Sequence, residues 1–319
     1  MEINKVAQVG AGYMGGGIAQ SLANVGFEVW LADVDAEATQ RAHERLLKEA
    51  EQFEAQGLFP PGSRERIGAN LHVAPSIEEA VADVDFVEEA VPEVPQIKRD
   101  VLARVESAAK PGTIIGTNTS TIPVHVLAEA LQDPSRFLTV HWSNPAPFIP
   151  GVELVAGEHT DPALIPVVKQ MLARAGRRSA QVADVPGFVL NRLQYVLLKE
   201  AMSIVEEGVA TPEDVDTIVT STFGFRLPFF GPFAIADMAG LDVYAASFTT
   251  LERAFGERLA APKVLTDLVA QGKFGVKSGS GFLELDAEKR EELIAYRNKA
   301  YSAMDDLLRT LGPSPLADR

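Results

Sequence analysis

The segment from Lys5 to Asp33 constrains the fold more than any other stretch of the chain. Lys5-Val6-Ala7-Gln8-Val9 reads as a short strand, Gly10-Ala11-Gly12-Tyr13-Met14-Gly15 as a tight turn, Gly16 to Val25 as a helix and Glu28 to Asp33 as a second strand. Strand, helix and strand joined in this way form a parallel pair with a right-handed crossover. The turn fits G-x-G-x-x-G where the pattern carries meaning, after a strand and opening a helix. Gly10 permits the tight turn, Gly12 lets the backbone approach a pyrophosphate, Gly15 allows close helix packing, and the helix N-terminus attracts phosphate charge. Without a ligand, the same residues would be only a glycine-rich turn. Asp33, 18 residues after Gly15, ends the second strand, where a carboxylate can accept hydrogen bonds from a ribose diol. No Arg or Lys adjoins it, so NAD is expected over NADP; the competing reading is a solvated turn aspartate.

Helical and strand patterns go on alternating through the first half. Helices are expected over 36–56, 77–82, 95–108 and 124–131, and strands over 85–87, 113–117, 137–140 and 152–155. This order predicts an α/β fold with a doubly wound, mostly parallel sheet. After Asp184-Val185-Pro186-Gly187 only helices are expected, over 188–207, 212–222 and 286–311. The expected domains are therefore 1–185, binding the dinucleotide, and 186–319, all-helical. The late loop from Lys273 to Gly281 is Gly-rich but short, a turn or ligand loop rather than a linker.

Composition narrows the partners. With 29 Lys plus Arg against 44 Asp plus Glu, the formal charge is −15, and an acidic surface repels nucleic acid and anionic membranes. Absence of cysteine excludes disulfides, thiolate zinc sites, iron–sulfur clusters and cysteine nucleophiles, and no metal-ligand cluster is visible. The first residues lack the basic start and apolar run of a signal peptide, and no stretch approaches the ~20 apolar residues of a membrane helix, so a cytoplasmic protein is expected.

A second constellation, His141-Trp142-Ser143-Asn144-Pro145, falls at the C-terminal end of an expected strand, where open α/β sheets bind ligands. An imidazole there can exchange a proton with an alcohol, and Glu153, twelve residues later on the next strand, is placed to orient it. From spacing alone, a structural histidine is the competing reading. His43, His72, His125 and His159 lack paired spacing and read as surface residues.

These motifs, with Pro186-Gly187-Phe188-Val189-Leu190-Asn191-Arg192 and Gly279-Ser280-Gly281-Phe282, make the chain resemble the 3-hydroxyacyl-CoA dehydrogenase family nearly end to end. The resemblance implies an N-terminal Rossmann domain and a helical C-terminal domain that binds substrate and forms a homodimer. It implies NAD-dependent oxidation of a secondary alcohol β to a carbonyl or carboxyl group. Carried over by position, it makes His141 the general base, Glu153 its orienting carboxylate, and Ser120 and Asn191 substrate contacts, with Asn144 in the same signature. Glu93, Lys98, Asn118 and Lys277 match cofactor-side positions. The plainer readings are turn caps for Ser120 and Asn144, a helix start for Asn191, and a surface pair for Glu93 and Lys98.

Two stretches depart from the acyl-CoA pattern. Where CoA-using members usually carry lysines, this chain has Glu49-Ala50-Glu51-Gln52-Phe53-Glu54, although Lys48, Arg64 and Arg66 remain nearby. Gly224-Phe225-Arg226-Leu227-Pro228-Phe229-Phe230 resembles instead the branch acting on small free carboxylates, which includes gulonate, carnitine and pyridoxine-breakdown dehydrogenases and the lens lambda-crystallin relatives. Arg226 could clamp a carboxylate, with Phe229 and Phe230 lining an apolar pocket; otherwise Arg226 is a surface residue and the two Phe belong to a dimer core. A small free carboxylate is thus expected, with 3-hydroxybutyryl-CoA or a longer 3-hydroxyacyl-CoA as the alternative. A crystallin-like NAD-binding protein without activity is a further reading, opposed by the joint presence of His141, Glu153 and Asn191. A dehydrogenase of the 3-hydroxyisobutyrate or phosphogluconate type would need a helix-borne lysine that Lys199 does not recreate.

Overall fold

The computed structural model describes residues 2–316, which pack as two compact units divided between Leu197 and Leu198. In the first unit the strands are β1 (Lys5–Val9), β2 (Glu28–Ala32), β3 (Leu71–Val73), β4 (Phe86–Glu89), β5 (Ile114–Thr117), β6 (Phe137–Trp142), β7 (Gly151–Ala156) and β8 (Arg178–Val182). They form one sheet in the order β3-β2-β1-β4-β5-β6-β7-β8, parallel except for the antiparallel β6–β7 pair. Its helices are α1 (Tyr13–Asn24), α2 (Ala36–Ala55), α3 (Ser63–Asn70), α4 (Ile77–Val81), α5 (Pro95–Ala108), α6 (Val124–Ala128) and α7 (Leu164–Arg174). The expected doubly wound sheet is present, extended by β3 and β8, which residue patterning did not reveal. α8 (Leu190–Glu206) contains the division between the two units.

Covering helices on both faces leave the strands nearly continuous in apolar residues. One face joins Val6, Leu31, Phe86, Ile114 and Leu138 to Ile18 and Leu22 of α1; the other joins Ala7, Val87 and Ile115 to Leu102 and Val105 of α5. Each fully buried aliphatic side chain contributes about 1.5–3 kcal/mol. Asp35 and Ser76 start α2 and α4 by accepting the Ala38 and Glu79 N–H groups.

Glu88 breaks the apolar pattern in the centre of the sheet. It is fully buried, and neither carboxyl oxygen has a partner. Burial pushes its pKa well above the ordinary carboxylate value, and the charge of Glu89 adds to the shift while Lys98 opposes it. An unfolded chain releases this proton near the ordinary value of 4.5, whereas the folded chain holds it to higher pH. Stability tied to Glu88 is therefore complete below the unfolded value and falls as pH rises toward the folded one. Glu88→Gln, neutral at every pH, is expected to raise Tm at neutral pH by at least about 2 °C. The gain should shrink as pH falls from neutral toward the unfolded value of 4.5; a pH-independent difference would mean that Glu88 does not titrate in this way.

The second unit holds α9 (Pro212–Ser221), α10 (Phe223–Arg226), α11 (Pro232–Ala239), α12 (Leu241–Phe255), α13 (Lys263–Ala270) and α14 (Ala287–Leu311). Buried Asp237 organises it, accepting the Phe282 and Leu283 N–H groups at 3.0 and 2.7 Å. A Cβ on Gly281 would lie 2.3 Å from its Oδ1, so the late Gly-rich loop is a turn wrapped around this carboxylate. Phe230 is buried against Tyr296 and Tyr301 of α14, and Phe229 lies against Tyr301. The two phenylalanines thus anchor a helix rather than line the pocket that the sequence offered as one reading.

Candidate functional site

His141 and Glu153 face each other directly across the antiparallel β6–β7 register. Both are buried, and His141 Nδ1 lies 2.8 Å from Glu153 Oε2. The other oxygen, Oε1, accepts the backbone N–H groups of Val189 and Leu190, each at 2.9 Å. Those amides are aimed by a turn in which Gly187 and Phe188 both take positive φ, +77° and +47°. A non-glycine residue held there costs on the order of 1–3 kcal/mol. Phe188 offsets that cost by complete burial, with its ring 5.7 Å from that of His141.

Burial pushes the Glu153 carboxyl up, but the hydrogen bonds from His141, Leu190 and Val189 outweigh it and hold the group below the ordinary value. An ionised carboxylate can only accept, so the proton of the His141 ring belongs on Nδ1 and Nε2 is left as the acceptor. The arrangement can take a proton from a substrate hydroxyl while the carboxylate balances the imidazolium.

His141 opens onto a cavity of about 600 Å³ at the carboxyl ends of the parallel strands, which it lines with Met14, Glu93, Lys98, Asn118, Ser120, Asn144 and Asn191. The sequence-derived candidates therefore converge, several through contacts that spacing did not reveal. Asn191 Nδ2 donates to the Ser120 carbonyl at 3.0 Å, and Asn118 Oδ1 accepts the Trp142 N–H at 2.8 Å, bracing the strand end beside His141. Glu93 Oε1 accepts from Thr119 Oγ1, Ser120 N and Thr121 N at 2.7, 2.8 and 3.1 Å, which fixes the loop that carries Ser120. Burial raises its pKa, but these bonds and the charge of Lys98 bring it below the ordinary value.

Lys98 is 1% exposed, which rules out the surface-pair reading. Its ammonium donates to Glu89 Oε1 at 2.8 Å and lies 3.4 Å from Glu93 Oε2. Glu89 also accepts from Thr117 Oγ1 at 2.6 Å and from Val91 N at 2.7 Å. Sequence reasoning missed Glu89, although two adjacent glutamates in a strand of a parallel sheet are themselves a signal. Trp142, Ser143, Ile149, Leu190 and Gln194 also line the cavity and were not singled out. Lys277 and Arg226 lie in the second unit, where Lys277 pairs with Asp242 and Arg226 borders a separate cavity.

The Gly-rich turn has the shape that a dinucleotide requires. A Cβ on Gly10 would lie 2.7 Å from the Ala90 carbonyl, and one on Gly15 1.9 Å from the Gly10 oxygen. At Gly12 a Cβ would meet no protein atom within 4 Å, so this residue is kept bare toward the outside of the fold. Gly12 also caps α1 without a side-chain bond, leaving the first-turn N–H groups for an anion. Asp33 Oδ2 accepts Ala11 N at 2.8 Å, tying the turn to the end of β2, and Arg45 of α2 donates to the Ala11 carbonyl at 2.8 Å. Tyr13 is exposed beside the turn. Gly12→Ala is expected to leave Tm unchanged and to weaken NADH binding at least about tenfold by fluorescence titration, because its methyl occupies the ligand's space. Gly15→Ala should instead lower Tm, and equal Tm losses in both variants would contradict this division.

A pyrophosphate cradle beside a carboxylate-oriented imidazole, both at the carboxyl edge of a doubly wound sheet, defines a nicotinamide-dependent dehydrogenase. Residues 5–185 match the family model of the 3-hydroxyacyl-CoA dehydrogenase NAD binding domain, and residues 187–285 match that of its C-terminal domain. The chain belongs to the 3-hydroxyacyl-CoA dehydrogenase family of NAD-dependent oxidoreductases, which act on CH–OH groups. It is 36% identical over 304 residues to a 5-formyl-3-hydroxy-2-methylpyridine 4-carboxylate 5-dehydrogenase of Mesorhizobium japonicum, covering 92% of this chain and 97% of the relative. It is 37% identical to an L-carnitine dehydrogenase of Streptomyces coelicolor, covering 90% and 92% of the two chains. Among solved structures, a 3-hydroxyacyl-CoA dehydrogenase of Archaeoglobus fulgidus superposes with a TM-score of 0.79 at 33% identity, over 97% of this chain and 99% of that one. Among the described residues, no helix is long and apolar enough to cross a membrane.

Proposed function

We propose that the chain oxidises the secondary alcohol of a small β-hydroxy acid with a free carboxylate, using His141 as the base. The observation that carries this reading is the His141–Glu153 bond at 2.8 Å, which leaves Nε2 as acceptor beside the cavity. When bound, NAD supplies the acceptor for the hydride that leaves the carbinol carbon. The hydroxyl proton passes to His141 Nε2, the carbinol C–O becomes a carbonyl, and Glu153 stabilises the resulting imidazolium. Ser120 and Asn191, joined through the Ser120 carbonyl, orient the substrate oxygen, while Asn144 borders the same space. Gly10, Gly12, Tyr13, Met14, Gly15 and Asp33 would hold the dinucleotide, together with Glu93, Lys98 and Asn118, which line the His141 cavity.

The free acid is preferred over a thioester because exposed Glu51 on α2 would repel a polyanionic nucleotide, although Glu49 is paired with Arg45 and Glu54 accepts the Gly62 and Arg64 N–H groups. A relative named for a pyridine carboxylate supports the same preference. The proposed setting is the cytoplasm, and the proposed assembly a homodimer, supported by exposed Leu193, Tyr195 and Val196 on α8. NAD⁺ reduction should be followed with a panel of free 3-hydroxy acids and hydroxyalkyl pyridine carboxylates beside 3-hydroxybutyryl-CoA. Turnover of a free acid with at least about tenfold higher kcat/KM than the thioester is expected. The reverse ranking would assign the chain to thioesters, and turnover of neither class would sink the reading.

A further inference from the structure

We propose that the second unit contains a binding site for a small organic carboxylate, built by Arg226 and Arg297 above an apolar floor. The two arginines line one cavity of about 300 Å³, together with Asn298 and Tyr301. Among the described residues, no carboxylate borders it, in a chain whose acidic residues outnumber its basic ones by 44 to 29. Both arginines are half-buried, and among the described residues neither forms an ion pair. The contacts of Arg297 are with the side-chain oxygen of its neighbour Asn298, at 3.2 and 3.0 Å. In contrast, Arg258 in the same unit is bridged to Glu200 and Glu207.

Two guanidinium groups that have lost part of their hydration without gaining a carboxylate attract an oxyanion from outside, and each planar fork can bind it in bidentate fashion. The rest of the wall is apolar, from Ile235, Met238 and Ala239, which favours an organic body over a bare inorganic ion. Arg226 and Arg297 come from α10 and α14, far apart in sequence, and aromatic packing holds the helices together. Tyr301 lies 5.8 Å from Phe225 and 6.1 Å from Phe230, ring centre to ring centre. α14 begins after residue 285, where the match to the family's C-terminal domain ends, so the second cation comes from outside the matched region. The site extends the free-carboxylate reading of the substrate, yet it is testable by binding alone, separately from turnover.

Calorimetric titration of the full chain with sodium benzoate, beside inorganic phosphate, tests the proposal. Saturable benzoate binding is expected, weakened at least about tenfold in Arg226→Gln and in Arg297→Gln. Asn298→Asp keeps both arginines but sets a competing carboxylate beside them, and it should weaken binding similarly even if an arginine variant fails to fold by circular dichroism. His141→Asn, altered in the first unit's cavity, should bind benzoate as the wild type does. Absence of binding by the wild type overturns the proposal, as does undiminished affinity in the folded variants of the second unit. Loss in His141→Asn alone would place benzoate in the first cavity, and tighter binding of phosphate would make this an inorganic-anion site; either result overturns it.

Discussion

Replacing His141 by Asn is expected to lower kcat by about 10²- to 10⁴-fold while leaving NADH affinity within about twofold of the wild type. Asn retains a polar group near the position of the ring but cannot take a proton at neutral pH. The cradle around Gly12 lies on β1 and α1 and is untouched, so a fluorescence titration with NADH should not register the change. Glu153→Gln probes the same pair from behind. An amide cannot balance an imidazolium, and its N–H₂ competes with the Val189 and Leu190 N–H groups that now point at Oε1. Retained turnover in His141→Asn would remove the histidine from proton transfer and leave the pair a structural brace.

Lys98→Met is expected to cost about 3–5 kcal/mol of stability, because it leaves the Glu89 carboxylate buried without its counter-charge. Both partners are essentially inaccessible, at 1% and 0% side-chain exposure, so water cannot replace the lost ammonium. Glu93 also loses a cation 3.4 Å away, and the Ser120 loop should loosen with it. Thermal unfolding followed by circular dichroism measures the first effect. Adding Glu89→Gln to Lys98→Met removes the orphaned charge and should recover part of the loss, since the amide oxygen can still accept from Val91 N while its N–H₂ donates to Thr117 Oγ1. A single variant as stable as the wild type would mean that the Lys98–Glu89 pair adds nothing net to the stability of the fold.

What the chain announced and what it concealed divide along physical lines. The Gly10–Gly15 turn was legible because local backbone conformation demands those glycines, and the strands β1, β2 and β4–β7 were legible because both their faces are buried. His141 and Glu153 could be paired from sequence because they fall on consecutive strands, and the antiparallel register of β6 and β7 sets them directly opposite each other. By contrast, β3 has three residues and β8, Arg-Ser-Ala-Gln-Val, reads as polar because it is an edge strand with exposed side chains. The burial of Lys98 was hidden for another reason: an isolated lysine in a helix reads as solvated, and only the sheet brings Glu89 beneath it. Arg297 was missed because its proximity to Arg226 depends on the folding of α14 against the Phe225–Phe230 segment.

The His141–Glu153 pair rests on β6 and β7, inside the hydrogen-bonded ladder, whereas Ser120, Asn144 and Asn191 lie at the ends of elements or in the connections beyond them. The positions proposed to contact substrate can therefore be randomised in a laboratory evolution experiment without disturbing the distance between imidazole and carboxylate. Such a library explores which alcohols are accepted while inheriting intact the apparatus that oxidises them. Variation confined to these connecting segments offers lineages of this fold a route to new substrates in which the chemistry need not be invented again.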